Sequence, residues 1–164
     1  MLTFARELKE VLLRDGKFLV VMTREEDVFV PLETRLTISR SAGAHVFVSL
    51  HADALAEGEA VGATLYTLSD EASDEAAAAL AERHDRADLL AGVDLTEQDD
   101  LVATVLMDMA RTETRPRVDR LALALEGAMK AAKLKMHRRP RQEAGFSVLK
   151  SPDIPSILIE LGFL

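Results

Sequence analysis

The residues best suited to chemistry are His51 and Glu160, each set at or near the end of an apolar run. His51 follows Val46-Phe47-Val48-Ser49-Leu50, a β-branched and aromatic stretch that reads as a strand buried on both faces. In open α/β sheets ligands bind just beyond the carboxyl ends of such strands, which is where His51 stands. An imidazole there is a metal ligand or, more blandly, a capping or structural group. Glu160 lies within Ile157-Leu158-Ile159-Glu160-Leu161. A carboxylate buried in apolar surroundings needs a cation, a proton or hydrogen-bond donors. His51 with a bound metal would supply such a partner.

Other sites for chemistry are poorly supported. The eight glycines never fall as Gly-x-Gly, no phosphate-binding Gly-x-x-x-x-Gly-Lys occurs, and no serine sits in a Gly-x-Ser-x-Gly elbow. His45, His84 and His137 read as solvent-exposed or core-satisfied. With no cysteine in the chain, disulfides and thiolate ligands are excluded, so any metal site must use histidine and carboxylates; the compartment is left open.

Both candidate residues need elements to hold them. A chain of 164 residues, 48% hydrophobic and 29% charged, suits one globular domain with a sizeable core. Its net charge of −8 disfavours nucleic acid or an anionic membrane as partner. The local exception is the basic run Lys130, Lys133, Lys135, Arg138, Arg139 and Arg141, read as a solvated helix end. No stretch approaches the roughly 20 apolar residues of a membrane helix, and no charged-then-apolar leader opens the chain.

In order, a helix is expected over about Leu2 to Arg14, ended by Gly16; a first strand over Phe18 to Met22; and a helix from Pro31 to about Ala42. The strand leading to His51 follows. Gly62 to Leu68 reads as a strand nearer a sheet edge, and Asp74 to Leu90 as an alanine-rich helix. From about Asp99 to Leu134 the pattern is helical, with a kink or break expected near Pro116. Phe146 to Leu149 and Ile157 to Leu161 are the last expected strands. Helices alternating with strands through short connections predict an α/β fold of three layers. A mostly parallel twisted sheet would be flanked by helices, with residues 69–98 forming an inserted helical segment of the single domain spanning 1–164. Met1 opens within an amphipathic helix and the chain stops just after the Glu160 strand, so both ends read as interrupted.

Three stretches together resemble a known family. They are Thr23-Arg24-Glu25-Glu26-Asp27 with Val30 to Arg35, then Ala44 to Asp53, then Leu149 to Phe163. They are similar, in the same order, to the zinc-dependent N-acetylmuramoyl-L-alanine amidases called amidase 3. The resemblance implies a peptidoglycan hydrolase that cleaves the amide between N-acetylmuramic acid and the L-alanine of the stem peptide. Two histidines and a glutamate hold Zn2+ in that family, and a second glutamate acts in catalysis. By resemblance His51 is the second histidine ligand and Glu160 the catalytic glutamate. The remaining histidine and glutamate ligands have no counterpart here and are expected upstream of Met1. Leu161 stands where the family usually has threonine.

The same resemblance implies action on the cell wall in the periplasm or cell envelope, a part in cell division, and a LytM-type activator protein as partner. In some members an inserted helix covers the zinc site and donates a carboxylate to it. Here Glu82, Asp85 and Asp88 fall at i, i+3 and i+6 in the inserted segment, so neighbouring pairs share a face and are the regulatory candidates. The alternatives are a catalytically dead fragment or binding remnant of such an amidase, or another zinc metallopeptidase on a similar sheet.

Overall fold

Helix α1 covers Leu2–Asp15 and ends where Gly16, at φ 75°, turns its N–H back to the Leu13 carbonyl at 3.1 Å. The computed structural model describes residues 1–52, 62–90 and 101–162, with the backbone alone for 87–90 and 101–110. Helix α2, Leu32–Ser41, is followed by strand β1, Phe47–His51. Strand β2, Ala63–Leu68, leads into α3, Glu75–Leu90, and α4, Leu101–Ala131. Strand β3, Met136–Ala144, a 3-10 turn at Ser147–Leu149, and strand β4, Ser156–Glu160, complete the chain.

The four strands among the described residues lie in the order β1-β4-β2-β3. Two of the three pairings, β1 with β4 and β2 with β3, are parallel, and β2 runs antiparallel to β4. Side chains alternate between the two faces. On one, Phe47, Tyr66 and Leu158 pack with Leu32 of α2, with Ala77, Leu80 and Ala81 of α3, and with Phe146. On the other, Leu65, Ile157 and Ile159 pack with Ala122 of α4, joined by Leu121, Leu125 and Met129. The expected three-layer α/β architecture is therefore present, with α3 of the inserted segment forming part of one outer layer.

Several local expectations are corrected. Phe18 to Met22 forms no strand: Leu19 is 98% exposed and Val21 61%, because an apolar run becomes a strand only where a neighbour completes its ladder. Strand β2 lies between β4 and β3 rather than near an edge, and Ala63 to Thr67 are all buried. Phe146 to Leu149 is not a strand. Phe146 is wholly buried, and Leu149 donates to its carbonyl at 3.0 Å to close the 3-10 turn. Helix α4 runs on through Pro116 without the expected break, its second half held by the apolar contacts to Leu65, Ile157 and Ile159.

The basic run read as a helix end is divided between two elements. Helix α4 stops at Ala131, Lys133 takes a left-handed φ of 57°, and Leu134 donates to the Met129 carbonyl at 3.0 Å. The cations that follow are carried into β3 by its pairing with β2. That pairing is irregular: Ala63 is in register with Met136, whereas Leu65 is in register with Arg141, so His137 to Pro140 form a bulge. Gly62 lies against it at φ 104°, where a Cβ would come within 2.5 Å of the Met136 carbonyl carbon, so only glycine fits.

The loop before β4 is tied to α2 by a two-pronged ion pair. Arg40 Nε and Nη2 donate to the Asp153 carboxylate at 2.8 and 2.9 Å, and the Ser151 hydroxyl donates to it at 2.9 Å. The Arg40 hydrogen bond, the largest cause, holds the Asp153 carboxyl down from 3.8 to about 2 against the opposing effect of partial burial. A carboxyl whose folded pKa is depressed contributes stability above the unfolded value and loses it as pH falls through the folded one. With both side chains about half exposed, solvent screening leaves a contribution of roughly 1 kcal/mol or less. Asp153→Asn should therefore be slightly less stable than the parent at pH 5. The two thermal-denaturation curves should converge as pH falls from 3.8 to about 2. A gap unchanged at the acid end would show that the ion pair contributes nothing.

Candidate active site

Strands β1 and β4 are parallel, and both end at the same place in the sheet. His51 is the register partner of Glu160. Adjacent parallel strands lie about 4.8 Å apart, so the imidazole and the carboxylate rise side by side from the carboxyl edge, where α/β sheets build their sites. The third member of the row is Thr64, in register with Glu160 across the antiparallel β2 pairing and only 1% exposed. Glu160 itself is fully buried.

The face that carries them is the α3 face. Ser49, two residues before His51 and therefore on the same side of β1, places its Oγ 3.0 Å from His51 Nε2. This contact orients the ring as the outer hydrogen bond of a metal-ligating histidine does. On β2, burial together with the negative charges of Glu160 and Asp74 pushes the Tyr66 phenol up to about 12, so it stays protonated near neutral pH. Its ring meets Phe146 edge-on at 5.1 Å between centroids.

Helix α3 closes the site from above. Asp74 caps its start by accepting from the Ala77 N–H at 2.8 Å. Two turns on, the His84 ring lies over His51 at 4.2 Å between centroids and against Phe146 at 5.4 Å. Asp85 accepts from the Ser147 N–H at 3.1 Å and from its hydroxyl at 2.9 Å, fastening α3 to the 3-10 turn. Glu82 faces solvent and pairs with Arg86. The side chain of Asp88 lies outside the described residues.

The structure thus brings His51 and Glu160 together and sets α3 beside them, and among the described side chains of that helix His84 meets the His51 ring. Sequence reading gave no part in the site to Ser49, Thr64 and Tyr66 and took His84 as solvent-exposed or core-satisfied. Ser49 was legible as the residue two before His51 on one strand face. His84 was not, because its neighbours Arg83, Asp85 and Arg86 read as a solvated surface.

Among the described residues no group of three or more histidine, aspartate or glutamate side chains is placed to hold a metal ion. Catalytic zinc takes three protein ligands. The described residues include the ligand types such a site uses, an oriented imidazole and a buried carboxylate, but they do not amount to a complete zinc site.

The whole chain, residues 1–164, matches the Amidase_3 family model, described as N-acetylmuramoyl-L-alanine amidase. The chain belongs to the N-acetylmuramoyl-L-alanine amidase family. It is 37% identical over 166 residues to an Escherichia coli protein named N-acetylmuramoyl-L-alanine amidase AmiC, covering 100% of this chain and 39% of that protein. The Escherichia coli amidase AmiA is 36% identical over 165 residues, covering 100% of this chain and 56% of AmiA. A Neisseria meningitidis protein named AmiC is 39% identical, again with 39% of its length matched. The chain thus spans between about two fifths and somewhat over half the length of these amidases. Among solved structures, the catalytic domain of the amidase CwlV from Bacillus (Paenibacillus) polymyxa superposes with a TM-score of 0.53 at 20% identity. It covers 99% of this chain and 64% of that one. An amidase from Clostridium difficile gives 0.54 at 20% identity with the same coverage. These two likenesses show that the amidase family member described here shares their fold.

Proposed function

We propose that this chain forms the catalytic region of a peptidoglycan hydrolase that cleaves the amide between N-acetylmuramic acid and the L-alanine of the stem peptide. The observation that carries the reading is the register pairing of His51 with Glu160 at the carboxyl ends of two parallel strands, in a chain matched over its whole length by the amidase family. Peptidoglycan is the substrate, and the periplasm or cell envelope during cell-wall turnover and cell division is the setting. None of the described helices is long and apolar enough to cross a membrane.

His51, its ring held by Ser49, would be one ligand of Zn2+. When bound, zinc would polarise the scissile carbonyl and lower the pKa of a coordinated water. Glu160 is the proton carrier: it takes a proton from the attacking water and returns it to the departing amine of L-alanine. Its place inside the sheet, beside the imidazole and away from bulk water, suits a carboxylate that must exchange a proton without losing it to solvent. Amide hydrolysis balances as one water consumed for one carboxylic acid and one amine released.

Because His51 and Glu160 are fewer than the three protein ligands a catalytic zinc takes, the 164 residues alone should hold zinc weakly and below one equivalent. Metal analysis after dialysis measures this, and tight 1:1 binding would show that the ligand set has been misjudged. The amidase reading itself is tested with the full-length protein on purified cell wall. New L-alanine amino termini without cuts inside the stem peptide support it, and cleavage between stem amino acids would favour another metallopeptidase.

Helix α3 is a cover in this reading. The His84 ring over His51 and the Asp85 bonds to Ser147 hold the inserted segment across the site. Opening by a LytM-type activator protein would admit the glycan strand. The regulatory acids thus take different parts: Asp85 latches the helix, while Glu82 lies on its outer surface.

A further inference from the structure

The turn from α4 into β3 carries charge that neither the fold nor the amidase site uses. No acidic residue occurs between Glu126 and Glu143, while Lys130, Lys133, Lys135, Arg138, Arg139 and Arg141 all lie there and are all exposed, in a chain of net charge −8. Three of the six are ion-paired to two carboxylates: Lys130 and Arg141 share Glu126 at 2.5 and 2.6 Å, and Arg139 meets Asp74 at 2.7 Å. Lys133, Lys135 and Arg138 form no ion pair among the described residues. Between the two lysines stands Leu134, 53% exposed.

We propose that this turn is a docking surface for a membrane rich in anionic phospholipid, with Lys133, Lys135 and Arg138 meeting headgroups and Leu134 entering the interface. The helix dipole does not account for the cations, since its field fades within the last turn and Lys135 and Arg138 lie beyond α4. Nor does the backbone call for Lys133. It occupies a left-handed helix end at φ 57°, where glycine or asparagine is the usual residue.

An added peptide strand fits poorly. The outer side of β3 is already met by Ser73, whose hydroxyl accepts from the Glu143 N–H at 2.7 Å and whose N–H donates to the Glu143 carbonyl at 2.9 Å. Pro140 lacks a donor, and the bulge interrupts the ladder. A partner must therefore meet side chains, and an anionic surface with an apolar layer beneath it matches both the cations and Leu134. Strand β3 lies three strand steps from β1, about 14 Å, so docking there leaves the His51 and Glu160 edge free for substrate.

The test is co-sedimentation with vesicles containing phosphatidylglycerol or only phosphatidylcholine, over a range of salt. The expected result is binding to the anionic vesicles alone, weakening as salt rises. It should fall by at least about a hundredfold in the Lys133→Glu, Lys135→Glu, Arg138→Glu triple variant and severalfold in Leu134→Ser. The corresponding triple glutamine variant, checked for an unchanged thermal midpoint, guards against a folding defect and should also bind more weakly. Absence of binding by the parent chain, or full binding by the folded glutamine variant, overturns the proposal. So does binding of soluble polyphosphate as tight as that of vesicles with Leu134→Ser without effect, which would make the turn a general polyanion site.

Discussion

Replacing Glu160 with glutamine in the full-length protein is expected to lower hydrolysis of purified cell wall by about a hundredfold to ten-thousandfold, the range typical of a lost general acid-base group. The amide is close in shape to the carboxylate, and Glu160 is fully buried between β1 and β2, so the fold should survive the change. It cannot accept the proton of the attacking water. The readout is the rate at which new amino termini appear, with the thermal midpoint measured alongside. A folded glutamine variant within tenfold of the parent would remove Glu160 from the mechanism. A parallel drop in zinc content would instead identify Glu160 as a metal ligand.

The second large effect concerns the cover. Asp85 accepts two hydrogen bonds from Ser147, and hydrogen bonds to a charged group contribute on the order of 1.5–3 kcal/mol to the state that makes them. If that state is the closed one, Asp85→Ala multiplies the open population by roughly ten to a hundred, because each 1.4 kcal/mol is a factor of ten. Basal hydrolysis by the full-length protein, without an activator, should rise accordingly. His84→Ala should act in the same direction by removing the ring over His51, while Glu82→Ala, on the solvent side of α3, should change little. Activity that stays flat or falls in folded Asp85→Ala would make residues 69–98 a decoration of the fold and end the autoinhibition reading.

How much of this was legible beforehand depended on whether the determining interactions were local. The helices Leu2–Asp15 and Leu32–Ser41, the strand ending at His51 and the strand carrying Glu160 all follow from periodicity, glycine stops and β-branched runs, and the matching stretches named the family. The same run character at Phe18 to Met22 proved insufficient, because a strand exists only if another strand offers its hydrogen bonds. The cationic residues Arg138, Arg139 and Arg141 read as the tail of a helix, and only pairing with β2, with Gly62 leaving room for the bulge, made them part of a strand.

The candidate site divides in the same way. That His51 and Glu160 could do chemistry together was written in their residue types and strand-end positions. That they are register partners, that Ser49 holds the imidazole, and that the His84 ring lies over it were decided by the tertiary structure. These contacts join residues 33 to 109 positions apart or depend on which face of a strand turns inward, and nothing in the local pattern specifies the packing of distant elements against one another.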